Sequence, residues 1–229
     1  VLVKEKVEFA KTALRNNRDD ERFLKVLDIY VRNFLSLDEF EAELKLFSPR
    51  VQQTEACQRN FEFIKYARMN VPGQKCIDFE IKGHDGKTIK LSDVYKKHKL
   101  VLIDFWASWC GACRATMPSI KKIYTDYHEK GLEVVSISLD DNEKAWEKAY
   151  EEEKIPWIDG SNLLVWKDPV ALWYAIRGIP HKVLIDRNGI IINSGFHQLG
   201  SLEQEIDKYL HSHRTKHLTF DTKLLPPTT

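Results

Sequence analysis

The spacing of hydrophobic positions changes near residue 70. Before it, Phe23, Val26, Leu27, Tyr30 and Phe34 recur three and four apart behind Asp19-Asp20, which predicts a helix with one apolar face. Ser36 and Glu39 form a capping-box pattern ahead of Phe40, Leu44 and Phe47. Ser48-Pro49 supplies a cap and a first-turn proline for a third helix, to about Asn70, with Cys57, Phe61 and Ile64 on one face. Residues 1–70 thus read as an all-α region with mixed charge on its outer faces and no catalytic constellation. Its expected work is to pack on a second domain or a partner, or to serve as a tether.

Val71-Pro72-Gly73 marks a boundary, and the period then shortens. Residues 78–82 alternate as a strand, Gly83-His84-Asp85-Gly86 turns, and Lys87-Thr88-Ile89 returns as a hairpin. Leu100 to Trp106 is apolar on both faces, as in an interior strand flanked by parallel neighbours. A helix to about Glu129 follows, with Gly131 as its stop and Pro118 as an internal break in its ladder. Leu132–Leu139 predicts another buried strand, residues 142–153 a helix, and residues 155–179 a tryptophan-rich insert carrying Trp157, Trp166 and Trp173. A second hairpin spans 181–194 and a last helix 201–211. The domain boundaries expected are 1–70, 71–213 and a tail from 214 to 229 that is mobile unless it packs as an arm.

Where the strand Leu100–Trp106 gives way to a helix stands Cys110-Gly111-Ala112-Cys113. A helix N-terminus has unpaired N–H groups and partial positive charge, so it stabilises a thiolate at Cys110. An ordinary thiol is only about 3% ionised at pH 7, whereas a pKa near 7 makes it about half thiolate. Cys113, one turn deeper on the same face, is placed to close a disulfide. Cys110 would attack a partner disulfide and Cys113 would then release it. Asp104 is the one carboxylate in its apolar strand; buried, it suits a proton acceptor for the deeper thiol, and at a frayed strand end it has no role. Trp109 would shield one side of the reactive sulfur.

Charge adds an exclusion. With 35 basic and 34 acidic residues, the net charge of +1 gives no electrostatic case for nucleic acid. Hydrophobic residues make up 43%, enough for a globular core, and no run approaches the length of a membrane span. The first residue is Val rather than Met, so removal of a signal peptide or lipid anchor is compatible with the sequence. No cofactor is expected. One Cys-x-x-Cys supplies only two of the four ligands of a zinc site, so no metal is expected. His211, His213 and His217 read as a polar helix end. Cys57 and Cys76 read as free buried thiols, with a disulfide between them as the alternative.

Asp104-Phe105-Trp106-Ala107, Trp109-Cys110-Gly111-Ala112-Cys113 and Pro118 together resemble the thioredoxin active-site segment. Ile176-Arg177-Gly178-Ile179-Pro180 resembles the loop that carries the cis-proline facing the cysteines in that fold. Residues 71–211 are similar to the TlpA/ResA-like thiol-disulfide oxidoreductases of the bacterial cell envelope, within the AhpC/TSA-redoxin superfamily. The resemblance implies an α/β thioredoxin-like fold, a mixed central sheet flanked by helices, behind the all-α region. It implies catalysis by Cys110 and Cys113 with Asp104, and substrate binding along Trp109, Ile179 and Pro180. It further implies protein disulfide or dithiol substrates, an upstream membrane or envelope electron donor, an envelope or periplasmic location, and the reducing direction. Oligomeric state is not implied.

The sequence also departs from the pattern. Gly-Ala replaces the Gly-Pro of thioredoxin, and Thr116 stands where envelope reductases often carry glutamate. No lysine occurs in Leu132–Leu139, so Asp104 is expected to lack a cationic partner. His181 follows Pro180 and is either a hydrogen-bonding group near the sulfurs or a strand-edge residue without a role. A peroxiredoxin-like peroxidase would need Pro and Thr where Ile103 and Ala107 stand. A non-catalytic interaction module on the same fold is the other alternative.

Overall fold

The computed structural model describes residues 2–195 and 199–218, with side chains placed for residues 5–195 and 199–211. The chain forms two compact units, one holding residues up to Asn70 together with Leu172–Ala175, the other holding the rest.

The first unit is helical. It comprises α1 (Leu2–Asn16), α2 (Phe23–Val26), α3 (Leu37–Lys45), α4 (Pro49–Gln52) and α5 (Glu55–Met69). The helix expected across Phe23–Phe34 is interrupted: α2 runs into a π-helical turn, Leu27–Val31, and a 3-10 turn, Arg32–Phe34. The wider turn rotates the apolar face, so Leu27 and Val31 are buried while Tyr30 and Phe34 are 53% and 57% exposed. The Ser36–Glu39 capping box is present, and Phe40, Leu44 and Phe47 pack in the core with Leu14, Val51, Cys57 and Ile64. The third helix expected from Ser48 is split. Ser48 caps α4, and Thr54 then starts α5 by accepting a hydrogen bond from the Cys57 N–H.

The second unit opens with a hairpin, β1 (Glu80–Lys82) and β2 (Thr88–Lys90), followed by α6 (Leu91–Tyr95). Then come β3 (Leu100–Trp106), α7 (Gly111–Tyr127), β4 (Leu132–Ser138), α8 (Glu143–Glu153), β5 (Ile158–Ser161), α9 (Pro169–Trp173, whose last two residues count with the first unit), β6 (His181–Asp186), β7 (Ile191–Ser194) and α10 (Leu199–Leu218). Five strands form one sheet in the order β5-β4-β3-β6-β7. β3, β4 and β5 run parallel, while β6 and β7 are antiparallel to their neighbours. Every residue of β3 and β4 is buried, which is why both read as unbroken apolar runs. This is the thioredoxin-like α/β architecture, a mixed central sheet flanked by helices.

Backbone partners lie along both outer strands of this sheet. Gly73 and Gln74 exchange hydrogen bonds with Ile191 at the start of β7, and Lys75 bridges Ile190. At the opposite margin Gly83 bridges Gly160 in β5, and the His84 N–H donates to the Asp159 carbonyl. A Cβ on Gly160 would stand 2.8 Å from the Lys82 carbonyl oxygen, so this approach requires glycine.

Two further sequence expectations change. The insert contains a short strand, β5, that the tryptophan-rich pattern conceals. The last helix continues through Leu218, into the stretch expected as a tail, and residues 219–229 lie outside the described residues. Cys57 and Cys76 are both buried, and neither is in a disulfide.

Candidate active site

β3 delivers the chain to the site, and α7 begins there. Cys110 is the N-cap of α7, with extended backbone, and its Sγ accepts a hydrogen bond from the Cys113 N–H at 3.1 Å. That donor is one of the unpaired groups that every helix start presents. The two cysteines form a disulfide with their Cα atoms 5.2 Å apart. Their access differs: Cys110 is 7% exposed and Cys113 only 1%. Pro118 sits inside α7, where it withholds the N–H that the Arg114 carbonyl would otherwise receive.

The loop ahead of Cys110 is tied down from the end of β4. The Asp140 carboxylate accepts from the Ser108 N–H at 2.9 Å, from the Ser108 hydroxyl at 2.5 Å and from the Ser138 hydroxyl at 2.6 Å. Asp140 is itself buried. On the other side of the motif, Arg114 in α7 donates to Glu152 and Glu153 at the end of α8, both at 2.8 Å. The helix bearing both sulfurs is thus anchored at its loop and at its first turn.

Facing the cysteines is the Ile179–Pro180 bond, which is cis. The Ile179 carbonyl oxygen lies 3.8 Å from Cys110 Sγ. Trp109 is 51% exposed, and its ring centroid is 6.2 Å from that of Trp166, also about half exposed. The tryptophans of the insert therefore divide: Trp166 flanks the motif, while Trp157 is core and donates to the Ser136 hydroxyl. His181 Nε2 lies 3.2 Å from Ser194 Oγ, and its ring lies edge-on to Phe105.

Asp104 is buried in β3, as its position suggested, but the expectation that it lacks a cation is overturned. Lys182 of β6 is its register partner, with Nζ 3.1 Å from Oδ1. The counterion comes from the antiparallel neighbour rather than from β4. Burial pushes the Asp104 carboxyl above its ordinary value, and the Lys182 charge and hydrogen bond pull it part of the way back.

Another buried carboxylate, Asp159, is not among the residues that the sequence singles out. Asp159 in β5 accepts from the Trp106 indole N–H at 2.8 Å and from the Trp146 indole N–H at 2.6 Å. Desolvation raises its pKa to about 7 against those two donors and Ser136, with the Asp104 charge adding to the rise. The available signal is an Asp beside a tryptophan in an apolar stretch, Trp157-Ile158-Asp159, which by itself reads only as insert. Among the described residues no cluster of His, Cys, Asp or Glu is arranged to hold a metal ion. His211 Nδ1 lies 2.8 Å from the Asp207 carbonyl, and the side chains of His213 and His217 lie outside the described residues.

Comparison with known proteins agrees with this geometry. The AhpC/TSA family model matches residues 72–194, more than half of the chain. A thiol-disulfide oxidoreductase ResA of Bacillus cereus is 29% identical over 123 residues, which cover 52% of this chain and 66% of ResA. The chain thus spans just under two thirds of that curated relative's length. The thioredoxin-like protein YneN of Bacillus subtilis (strain 168) is 31% identical over 141 residues, covering 59% of this chain and 78% of YneN. Among solved structures, a putative thiol:disulfide interchange protein DsbE from Chlorobium tepidum superposes with a TM-score of 0.55 at 34% identity. That likeness covers 61% of this chain and 97% of the other. With its matched residues, its sheet order and its paired cysteines, the chain belongs to the AhpC/TSA family, among the thiol-disulfide oxidoreductases.

Proposed function

We propose that this protein reduces disulfides in protein substrates through the Cys110–Cys113 pair. The observation that carries the reading is the asymmetry of the two sulfurs: Cys110 caps a helix and is the more exposed, and Cys113 lies behind it, its own N–H aimed at Cys110 Sγ. The same N–H and the partial charge of the helix start favour the Cys110 thiolate, which attacks the substrate disulfide. A mixed disulfide forms between Cys110 and the substrate, and the first substrate sulfur leaves as a thiolate. Asp104 takes the Cys113 proton, the Cys113 sulfur bonds to Cys110, and the second substrate sulfur departs.

Trp109, Ile179 and Pro180 form the substrate groove in this reading. An extended substrate backbone would lie beside the 179–180 segment, with the exposed Trp109 ring covering it. The reducing direction rests on the likeness of the Trp-Cys-Gly-Ala-Cys turn to reducing relatives. An envelope location and an upstream envelope electron donor accompany it. No described helix is long and apolar enough to cross a membrane. The N-terminal helical unit lies outside the family match, and we assign it the work of tethering or of packing against a partner.

The deciding measurement is the reduction potential of the Cys110–Cys113 couple, together with insulin-disulfide reduction. A reductase should lie near the thioredoxin value of about −270 mV. A value near about −120 mV, that of a strong oxidant, would reverse the direction proposed.

A further inference from the structure

Two buried carboxylates and one buried ammonium stand in a single row across the sheet. Lys182 in β6, Asp104 in β3, Ser136 in β4 and Asp159 in β5 are successive register partners. Register partners project from the same face of a sheet, so these four polar side chains stand side by side among apolar strands. Lys182 neutralises Asp104, and a second buried charge in the same row, on Asp159 beyond Ser136, is disfavoured. At the far end of the row a cavity of about 580 Å³ is lined by Asp159, His84, Tyr150 and Trp157. Asp159 therefore joins the inner row to a water-accessible space on the side of β5.

We propose that Asp159 is a positioning residue that holds one proton for the cysteine pair, exchanging it through this cavity and so setting the charge state of Asp104. The inference rests on the thiol-exchange reading above. Before the resolving step Asp104 is the carboxylate and Asp159 the acid. Cys113 S–H gives its proton to Asp104, and its electron pair forms the bond to Cys110 Sγ. The Cys110–substrate S–S bond breaks, and the substrate leaves as a thiolate. Asp159 then gives its proton to water in the cavity, and the substrate thiolate takes a proton from water. The row carries one negative charge before and after, on Asp104 opposite Lys182 at first and on Asp159 beside the cavity at the end. The raised pKa of Asp159, about 7, suits a group that gains and loses a proton under working conditions.

The groups facing Asp159 define what can perturb it. From β3 come Asp104 and the Trp106 indole, from β4 Ser136, and from α8 the Trp146 indole and Tyr150, whose own pKa burial raises, with the Asp159 charge adding to the rise. His84, in the β1–β2 turn, stacks on Tyr150 with ring centroids 4.0 Å apart. His128 and Glu133 also line the cavity, as do Asp85 and Lys87 of the turn, which pair with each other.

The test isolates the resolving step. Reduced protein is mixed with one equivalent of an aryl disulfide that yields thionitrobenzoate, and the second release, driven by Cys113, is followed by stopped flow from pH 5 to 9. Cys110 is then in a mixed disulfide and does not titrate. The wild-type rate should fall through an inflection near pH 7, as Asp159 loses the proton that keeps Asp104 the carboxylate. Trp146→Phe deletes a hydrogen bond that favours the carboxylate, so the inflection should move up by roughly one unit. Asp159→Asn should remove it. Carbon-13 NMR of the Asp159 carboxyl in wild type and Trp146→Phe should show the same shift, which keeps the test decisive if Asp159→Asn fails to fold. Superimposable profiles for wild type and Trp146→Phe, or an Asp159 carboxyl ionised throughout the range, overturn the inference alone. Absence of any second release at every pH overturns the proposed function and this inference with it.

Discussion

Lys182 stands directly across the sheet from Asp104, its ammonium 3.1 Å from Oδ1 and both side chains only 2% exposed. Burial outweighs this pairing and lifts the Asp104 carboxyl, so the folded protein holds that proton more tightly than the unfolded chain. Stability tied to the protonated group is fully present below the unfolded value, about pH 4, and is lost as pH rises through the folded value. Lys182→Met raises the folded value further and extends the loss to higher pH. We expect the variant to lose about 3 kcal/mol at pH 8 and clearly less at pH 5, by urea denaturation. Equal losses at the two pH values would refute the pairing.

Replacing each cysteine should separate the two steps. Cys110→Ser is expected to abolish insulin-disulfide reduction. Cys113→Ser should retain the first attack and accumulate a mixed disulfide, visible by intact mass before and after a reductant. Full activity in Cys110→Ser would end the assignment.

Asp140 holds the loop before Cys110 through Ser108. Asp140→Ala leaves the Ser108 N–H and hydroxyl without their acceptor, at a cost of about 2 kcal/mol. Thiol exchange should slow as well, because the N-cap of α7 is no longer fixed. Asp140→Asn keeps an acceptor and should recover most of both. An alanine variant with unchanged melting and unchanged rate would show the loop to be held by other means.

Trp109 tests the groove. Its ring is half exposed, so Trp109→Ala should cost only about 0.5 kcal/mol of stability. Loss of its contact with a protein substrate should raise KM about tenfold, equivalent to about 1.4 kcal/mol, with kcat little changed. A small-molecule disulfide should be reduced at the wild-type rate. If the small substrate is affected as strongly as the protein substrate, Trp109 acts on the sulfur rather than on the groove.

The reactive pair is legible in the sequence because its signal is local: an apolar strand, two cysteines three apart and a helix lie within one short window. Leu132–Ser138 and the 181–194 hairpin are legible for the same reason. Lys182 is not, because register partners on antiparallel strands lie 78 positions apart in the sequence and nothing local to Asp104 points to β6. Asp159 is hidden by the brevity of β5, four residues with a polar side chain in the middle. In the N-terminal unit the apolar spacing is sound as far as Leu27. Beyond it one extra residue in a π turn reverses which side chains face inward, and no periodicity rule anticipates that.

The stretch from Gly73 to His84 reaches both borders of the five-stranded sheet, one near Ile190 and the other at Gly160. Strand borders left bare invite a second chain to zip on, which is how many β-rich proteins stick together. Here the protein's own backbone occupies positions on both borders, which closes them to a second chain. A bulkier residue at 160, pressed against the Lys82 carbonyl, would put that safeguard at risk.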